Sequence, residues 1–363
     1  MSLSTGLVGL PNVGKSTLFN ALTQAAAEAS NYPFCTIEAN VGVVEVPDAR
    51  LERLRNLLQP ASCTATAIRF TDIAGLVEGA SRGEGRGNAF LADVREADAL
   101  VHVVRCFQDP SVAHVSAQLD PLHDAAVVET ELLLADLQTL ERVLPTLDKQ
   151  VRSDPRTTRR PELDALRRVE AAILDSQPVS GLDLHREEAA LIRGYNFLSA
   201  KPVLYVANVD EEDAATGGEW LPRLEAQVGQ GRALAISAKI EAEIGQLQPE
   251  ERADFLRDLG LERRGIDRLI EAVYRLLGLL TFYTVANDKL QAWQLPSGYR
   301  APEAAGIIHT DMERGFIRAE VAACDDLVRA GSFHHLREQG HLRTEGRDYV
   351  VADGDVVHFL FKV

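Results

Sequence analysis

Gly9-Leu10-Pro11-Asn12-Val13-Gly14-Lys15-Ser16-Thr17 is the stretch that decides the fold. It matches the pattern GxxxxGK[ST], and its flanks are right for it: an apolar run from Gly6 to Gly9 reads as a strand, and Lys15 to Leu22 reads as a helix. Glycines let the main chain approach a phosphate closely, while backbone N–H groups and the positive end of the helix dipole cradle it. The motif makes Asn12, Val13, Gly14, Lys15, Ser16 and Thr17 nucleotide-binding candidates. Lys15 is suited to bridge the β and γ phosphates, and the Ser16 hydroxyl to bind Mg²⁺.

Working outward, further apolar runs recur at Ala67 to Phe70, Leu100 to Val104, Val203 to Ala207 and Ala233 to Ile236. Strands separated by helical or long loop segments indicate an α/β fold with a doubly wound, mostly parallel sheet. The run near Ile68 ends in Asp72-Ile73-Ala74-Gly75, an acid and a glycine at the carboxyl end of a strand, where nucleotide sites collect in such sheets. Asp72 is expected to hold Mg²⁺ through water and the Gly75 N–H to touch a γ-phosphate. Thr36 offers a hydroxyl that completes Mg²⁺ coordination only when that phosphate is present.

The base end of the site is expected after the runs at Val203 to Ala207 and Ala233 to Ile236. Asn208-Val209-Asp210-Glu211 falls where NKxD-type proteins read guanine, and Ser237-Ala238-Lys239 resembles the SAK loop that covers the base. Val209 replaces the lysine that packs along the base, and Glu211 the aspartate that accepts two guanine N–H groups. Adenine presents an acceptor at N1 and a donor at N6, so a displaced carboxylate favours relaxed or adenine-preferring recognition. The chain resembles a GTPase of the translation-factor type, but Leu76 stands where a glutamine usually orients the attacking water. A leucine has no donor or acceptor, so hydrolysis either is very slow or recruits another residue.

The middle of the chain changes character. Leu133, Leu137, Leu140, Leu144, Leu147 and Val151 form a heptad seam, Pro145 is expected to kink that helix, and a second helix carries Leu163, Leu166, Val169 and Ile173. A helical hairpin, an antiparallel coiled coil over residues 120–199, is thus inserted into a nucleotide-binding domain made of residues 1–119 and 200–280. Residues 281–363, with alternating runs at Gly315 to Val321 and Asp348 to Phe361, read as a β-rich C-terminal domain.

Together these segments, with Asn31-Tyr-Pro-Phe-Cys-Thr-Ile-Glu38, Gly83-Glu-Gly85, Ala305 to Asp311 and Gly315 to Ala319, resemble the Obg-like ATPase family of the P-loop GTPase superfamily over essentially the whole chain. The resemblance implies an ATPase whose last domain is a TGS, β-grasp-like module, with the ribosome as partner through the large subunit or the assembled particle. It also implies that His114 orients or deprotonates the attacking water, and Asn12 sits where potassium-activated relatives place a K⁺ ligand. Ala39 and Arg86 depart from the proline and leucine usual in the family, which leaves switch-loop behaviour open.

Composition bounds the rest. A length of 363 residues corresponds to roughly two to three domains at about 150 residues each. Thirty-eight Lys plus Arg against 54 Asp plus Glu give a net charge of −16, which excludes a whole-chain electrostatic grip on nucleic acid. The exception is the hairpin tip, where Lys149, Arg152, Arg156, Arg159, Arg160, Arg167 and Arg168 outnumber Asp154, Glu162 and Asp164, a candidate RNA contact. Cys35, Cys63, Cys106 and Cys324 form no CxxC pair, and the apolar stretch from Leu276 to Ala286 is too short to span a bilayer. The expectation is a cytoplasmic protein with no membrane partner, monomeric because the short seam is satisfied within the hairpin. Two other readings stay open: a GTP-specific ribosome-assembly GTPase, and a nucleotide-switched ribosome-binding module without catalysis.

Overall fold

In the computed structural model, which describes residues 3–29, 40–75, 86–113, 119–154 and 156–362, the first apolar run forms β1 (Ser4–Val8) and the phosphate-loop motif turns directly into α1 (Lys15–Ala29). That helix is longer than the Lys15 to Leu22 expected, because the Leu18, Phe19 and Leu22 stripe that seats it on the sheet is followed by alanines, the best helix formers. Next come β2 (Val41–Glu45), α2 (Ala49–Leu58), β3 (Ser62–Thr64), β4 (Ala67–Asp72), α3 (Arg86–Glu96) and β5 (Ala99–Cys106). After the helical segment α4 (Pro121–Ser153), α5 (Arg160–Leu174) and α6 (Arg186–Ile192), the chain returns through β6 (Val203–Val209), α7 (Trp220–Val228), β7 (Ala233–Ile236), α8 (Ala238–Gln246), α9 (Pro249–Asp258) and α10 (Gly265–Leu276).

The first sheet has the order β2-β4-β1-β5-β6-β7, parallel throughout except for β2, which runs antiparallel to β4 at the edge. All eight residues of β5 are buried, as a central strand covered on both faces requires. The carboxyl ends of β1, β4, β5 and β6 therefore gather the candidate site along one edge of the sheet.

Asp120 caps α4 by accepting from the His123 N–H at 3.1 Å, and Pro121 occupies the first turn, where its missing N–H costs nothing. The amino-terminal half of α4 buries Val128, Leu132 and Ala135 against the first sheet's core. The other half packs Leu140, Leu147 and Val151 on Leu163, Leu166, Val169 and Ile173 of α5. Pro145 sits inside α4 on its exposed face, and the helix runs on through it.

The second sheet begins at Leu279 and has the order β11-β10-β12-β8-β9-β3. It comprises β8 (Leu279–Ala286), β9 (Lys289–Pro296), β10 (Phe316–Ala323), β11 (Arg343–Glu345) and β12 (Asp355–Phe361), with helices α11 (Ala301–Ile308), α12 (Thr310–Arg314), α13 (Cys324–Ala330) and α14 (Phe333–Glu338) between them. Asn287 and Asp288, both at positive φ, close the β8–β9 hairpin. The alternating runs alone do not reveal the helices, which contribute Ala304, Ala305, Leu327 and Leu336 to the cores on this sheet.

One strand of this sheet comes from far upstream. The three residues of β3 pair in parallel with β9, and α2 places Leu51 and Leu54 against Tyr283, Leu290 and Leu327. Arg50 donates to Asp353 at 2.7 Å and to Asp48 at 3.1 Å, and the Tyr283 hydroxyl donates to Asp48. Residues 48–64, though embedded between strands of the first sheet, thus belong to the packing of the second.

Candidate functional site

The phosphate loop owes its shape first to residues of its own sequence. Gly9 has φ of +149° and Gly14 of +94°; a Cβ on Gly9 would lie 2.4 Å from the Val103 carbonyl oxygen, and one on Gly14 would lie 2.2 Å from Nδ2 of Asn208. Glycine is obligatory at both positions. Asn12 takes the left-handed conformation between them, with φ of +61°. Ser16 and Thr17 are exposed on the first turn of α1, whose free N–H groups and dipole suit an anion.

Lys15 is only 7% exposed and its Nζ donates to the carbonyls of Gly9 at 3.2 Å and Leu10 at 3.1 Å. Burial pushes the pKa of its ammonium below the ordinary lysine value, with the field of Asp72 opposing the shift. A Cβ on Gly75 would sit 3.2 Å from Lys15 Nζ, so the end of β4 and the lysine head are neighbours. The Ser16 hydroxyl donates to Asp72 Oδ2 at 3.0 Å. This pair offers oxygen donors only, beside a buried cation, which is the donor chemistry of Mg²⁺ rather than of a softer metal. Thr36, Leu76 and His114 lie outside the described residues.

At the other end a cleft of about 720 Å³ opens between the phosphate loop, the end of β6 and the start of α8. Asn208, 5% exposed, donates to the Val13 carbonyl at 2.8 Å and accepts from the Ala238 N–H at 3.0 Å. Ser237 and Ala238 are buried where α8 starts, and Thr17 lines the wall. Val209 is 2% exposed and packs with Cys106 and Leu224, so it forms part of the cleft's base and not a flat apolar cover. Glu211 is not a free carboxylate: it pairs with Lys239 at 2.7 Å, both side chains being largely in solvent.

Sequence reasoning missed the opposite wall, formed by Phe107, Gln108, Asp109 and Val112, together with Asp210, whose carboxylate accepts from the Gln108 N–H at 3.2 Å. The available signal was Arg105, a charge in a strand whose one other polar residue is His102. It is 4% exposed and stands directly beside Asn208 in the β5–β6 register. Beneath the site, His102 is buried and burial, helped by the charge of Lys15, lowers its pKa to about 3. It is a neutral packing residue against Tyr205, its ring centroid 5.3 Å from the tyrosine's. Cys106 is buried with its thiol pushed up to about 12 by desolvation, and Cys63, Cys106 and Cys324 are all free thiols. No helix among the described residues is long and apolar enough to cross a membrane.

A glycine-bounded phosphate loop at the carboxyl edge of a parallel sheet, an aspartate at the end of the adjacent strand and an asparagine joining the loop to the base cleft define a P-loop nucleoside triphosphatase of the GTPase superfamily. Residues 4–134 match the family described as "50S ribosome-binding GTPase", and residues 279–362 match the family YchF-GTPase_C, described as "Protein of unknown function (DUF933)". The chain is 46% identical to the ribosome-binding ATPase YchF of Bacillus subtilis (strain 168) and 45% identical to that of Escherichia coli O157:H7, with 100% of each chain covered in both cases. The structure of the Schizosaccharomyces pombe YchF GTPase matches it with a TM-score of 0.89 at 33% identity, over 99% of this chain and 98% of that one. The chain belongs to the YchF family of ribosome-binding ATPases.

Proposed function

We propose that this chain hydrolyses ATP in preference to GTP, with Mg²⁺, and couples its nucleotide state to binding of the ribosome. The observation that carries the base preference is the Glu211–Lys239 pair at 2.7 Å. A carboxylate already directed at an ammonium is a poor acceptor for the N1–H and N2–H of guanine, whereas adenine has no such pair to satisfy. Asn208, the SAK-like residues Ser237 and Ala238, and the base of the cleft at Val209 then frame a purine without selecting guanine.

At the phosphate end, Lys15 already donates to two carbonyls of the loop, those of Gly9 and Leu10, and would exchange them for β and γ phosphate oxygens. The N–H groups of Val13, Gly14, Ser16 and Thr17 and of Gly75 would stabilise the same anion. Ser16 and Asp72 would hold Mg²⁺, Thr36 joining them in the triphosphate state, and the ion would supply neutralisation of phosphate charge. Since Leu76 has no polar atom, His114 is the residue assigned to position the attacking water, a task suited to imidazole near neutral pH. Asn12 engages Ala113 through its amide nitrogen at 3.1 Å, which leaves Oδ1 as the atom able to ligate K⁺. The ribosome as partner follows from the family, with the hairpin tip as the RNA contact; the chain acts as a cytoplasmic monomer.

Equilibrium binding of ATP and GTP to the full chain with Mg²⁺, in the wild type and in Glu211→Asp, tests this reading. Tighter ATP binding that relaxes in Glu211→Asp is the expected result. A clear preference for GTP in the wild type overturns it.

A further inference from the structure

We infer that Arg105 is a positioning residue for nucleotide binding and turnover, acting through the loop at 107–113. This rests on the hydrolase reading above for turnover, and on the cleft geometry alone for binding. Arginine is almost never fully buried unless paired, yet Arg105 is 4% exposed and among the described residues its hydrogen bonds go to main-chain carbonyls. Its Nε donates to Phe107 at 3.3 Å, Nη1 to Val112 at 3.1 Å and Ala113 at 3.4 Å, and Nη2 to Asp109 at 3.2 Å.

The loop from Phe107 to Ala113 is neither helix nor strand, so its carbonyls have no ladder partners, and among the described residues only that of Asp109 accepts a backbone bond, from the Val112 N–H at 3.2 Å. The guanidinium fork takes the place of a ladder, satisfying four of them from one rigid plane. The same plane lies over the Phe107 ring, with the central carbon 4.5 Å from the ring centroid. Phe107, Asp109 and Val112 face the base cleft across from Gly14 and Asn208. At the far end of the loop the Ala113 carbonyl accepts a second bond, from the Asn12 amide of the phosphate loop at 3.1 Å. Arg105 and Asn12 thus meet on one oxygen, and the chain passes from there into His114. Arg105 touches neither cleft nor phosphate site itself; it sets the path of the wall they share.

Lysine cannot reproduce this. Its single ammonium reaches fewer carbonyls and has no plane to lie on the ring. The test uses the full chain as wild type, Arg105→Lys, Asn12→Gly and the double variant. Glycine is chosen at 12 because it keeps the positive φ while removing the amide. The measurements are Kd for a fluorescent ATP analogue, kcat, KM, and the thermal midpoint without nucleotide. We expect Arg105→Lys to weaken binding and lower kcat by on the order of ten- to a hundredfold, the scale of misplacing a catalytic loop by about an ångström. With Na⁺ in place of K⁺, so that Asn12 acts only through its amide, the double variant should be no worse than the poorer single, because both side chains then act through the Ala113 carbonyl. A purely structural role would lower the thermal midpoint without that coupling. Wild-type Kd and kcat in folded Arg105→Lys, or multiplicative losses in the double variant, would overturn the inference. If Arg105→Lys does not fold, Arg105→Gln, which keeps neutral N–H donors, replaces it with the same expectation. A wild type that binds nucleotide without turnover would sink the hydrolase reading, and Kd alone would then decide the role of Arg105.

Discussion

The side-chain amide of Asn208 donates to the main-chain carbonyl of Val13 at 2.8 Å, so the residue at the end of β6 that lines the cleft is bonded to the phosphate-loop motif. Its oxygen accepts from Ala238 at 3.0 Å, which adds the start of α8 to the same unit. Three segments far apart in sequence are held by one buried side chain in which donor and acceptor are both used. The contact also explains why position 14 admits no side chain, since a Cβ there would collide with Nδ2.

Replacing Asn208 therefore costs both structure and ligand. Asn208→Asp turns the donor into a carboxylate oxygen against the Val13 carbonyl, and Asn208→Ala leaves a buried carbonyl and a buried N–H unpaired, each worth about 1–3 kcal/mol. Urea denaturation should show Asn208→Ala destabilised by roughly 2 kcal/mol or more, with Asn208→Asp no better. ATP affinity should drop at least about tenfold in both, as 1.4 kcal/mol implies. An unaltered denaturation midpoint in Asn208→Ala would show that the bridge contributes nothing.

This bridge could be anticipated in part. The motif at Gly9–Thr17, the strand that ends in Asp72 and the asparagine at 208 are local signals, each legible because one short segment carries a fixed chemistry. The seam of α4 was legible: Leu140, Leu147 and Val151 are buried against α5, and Leu133, Leu137 and Leu144 pack on the same cluster, while a second stripe, Val128, Leu132 and Ala135, faces the sheet. What local pattern could not reveal is β3, a Ser-Cys-Thr run with no apolar alternation whose partner β9 lies far along the chain. Nor could it reveal the Lys239 partner of Glu211 or the carbonyls around Arg105, because both exist only once separate loops converge.

Lys15 gives a prediction in which activity and stability move apart. Its folded-state pKa lies below the ordinary 10.5, so beneath that shifted value the buried ammonium carries its full desolvation cost. Between the shifted value and 10.5 the unfolded chain binds more protons, and stability rises with pH across that window. Lys15→Met keeps the stem and removes the charge. Turnover should vanish and ATP should no longer raise the thermal midpoint, while the nucleotide-free midpoint at neutral pH stays at or above wild type and loses its rise at alkaline pH. Retained ATP stabilisation in Lys15→Met would contradict the assignment of Lys15 to phosphate.

Asp136 ties α4 to the segment that leads into β6 and is fully buried. Its carboxylate accepts from the Leu198 N–H at 2.7 Å, the Ser199 N–H at 2.8 Å and the Ser199 hydroxyl at 2.7 Å. Burial raises its pKa above the ordinary 3.8 against the lowering effect of those bonds. The sign follows: its proton favours the folded state below 3.8, and that contribution is lost as pH rises through the raised value. Asp136→Asn abolishes this pH dependence and sets an amide donor against an N–H, so it should be destabilised at neutral pH by about 1–3 kcal/mol. Denaturation curves at pH 4 and pH 7 check both parts. A wild-type difference between the two that persists unchanged in Asp136→Asn would assign it to another group.

The hairpin tip carries the last prediction, and the structure narrows which cations can serve it. Arg159 is engaged with Glu162 at 2.8 Å and Gln150 at 2.5 Å, Arg152 and Arg167 share Asp148 at 2.7 and 2.6 Å, and Arg168 pairs with Glu188 at 2.5 Å. Among the described residues Lys149, Arg156 and Arg160 make no such pair, and all three are exposed. Those are the charges free to displace counterions from phosphate. Reversing Arg159 would also break its internal contacts, so the cleaner variant is Arg156→Glu with Arg160→Glu. It should fold and turn over ATP as the wild type does, yet co-sediment less with ribosomes. Its log–log salt dependence should be flatter by about 0.7 to 0.9 per lost phosphate contact. Co-sedimentation at wild-type levels with the same salt slope would place the ribosome contact elsewhere on the chain.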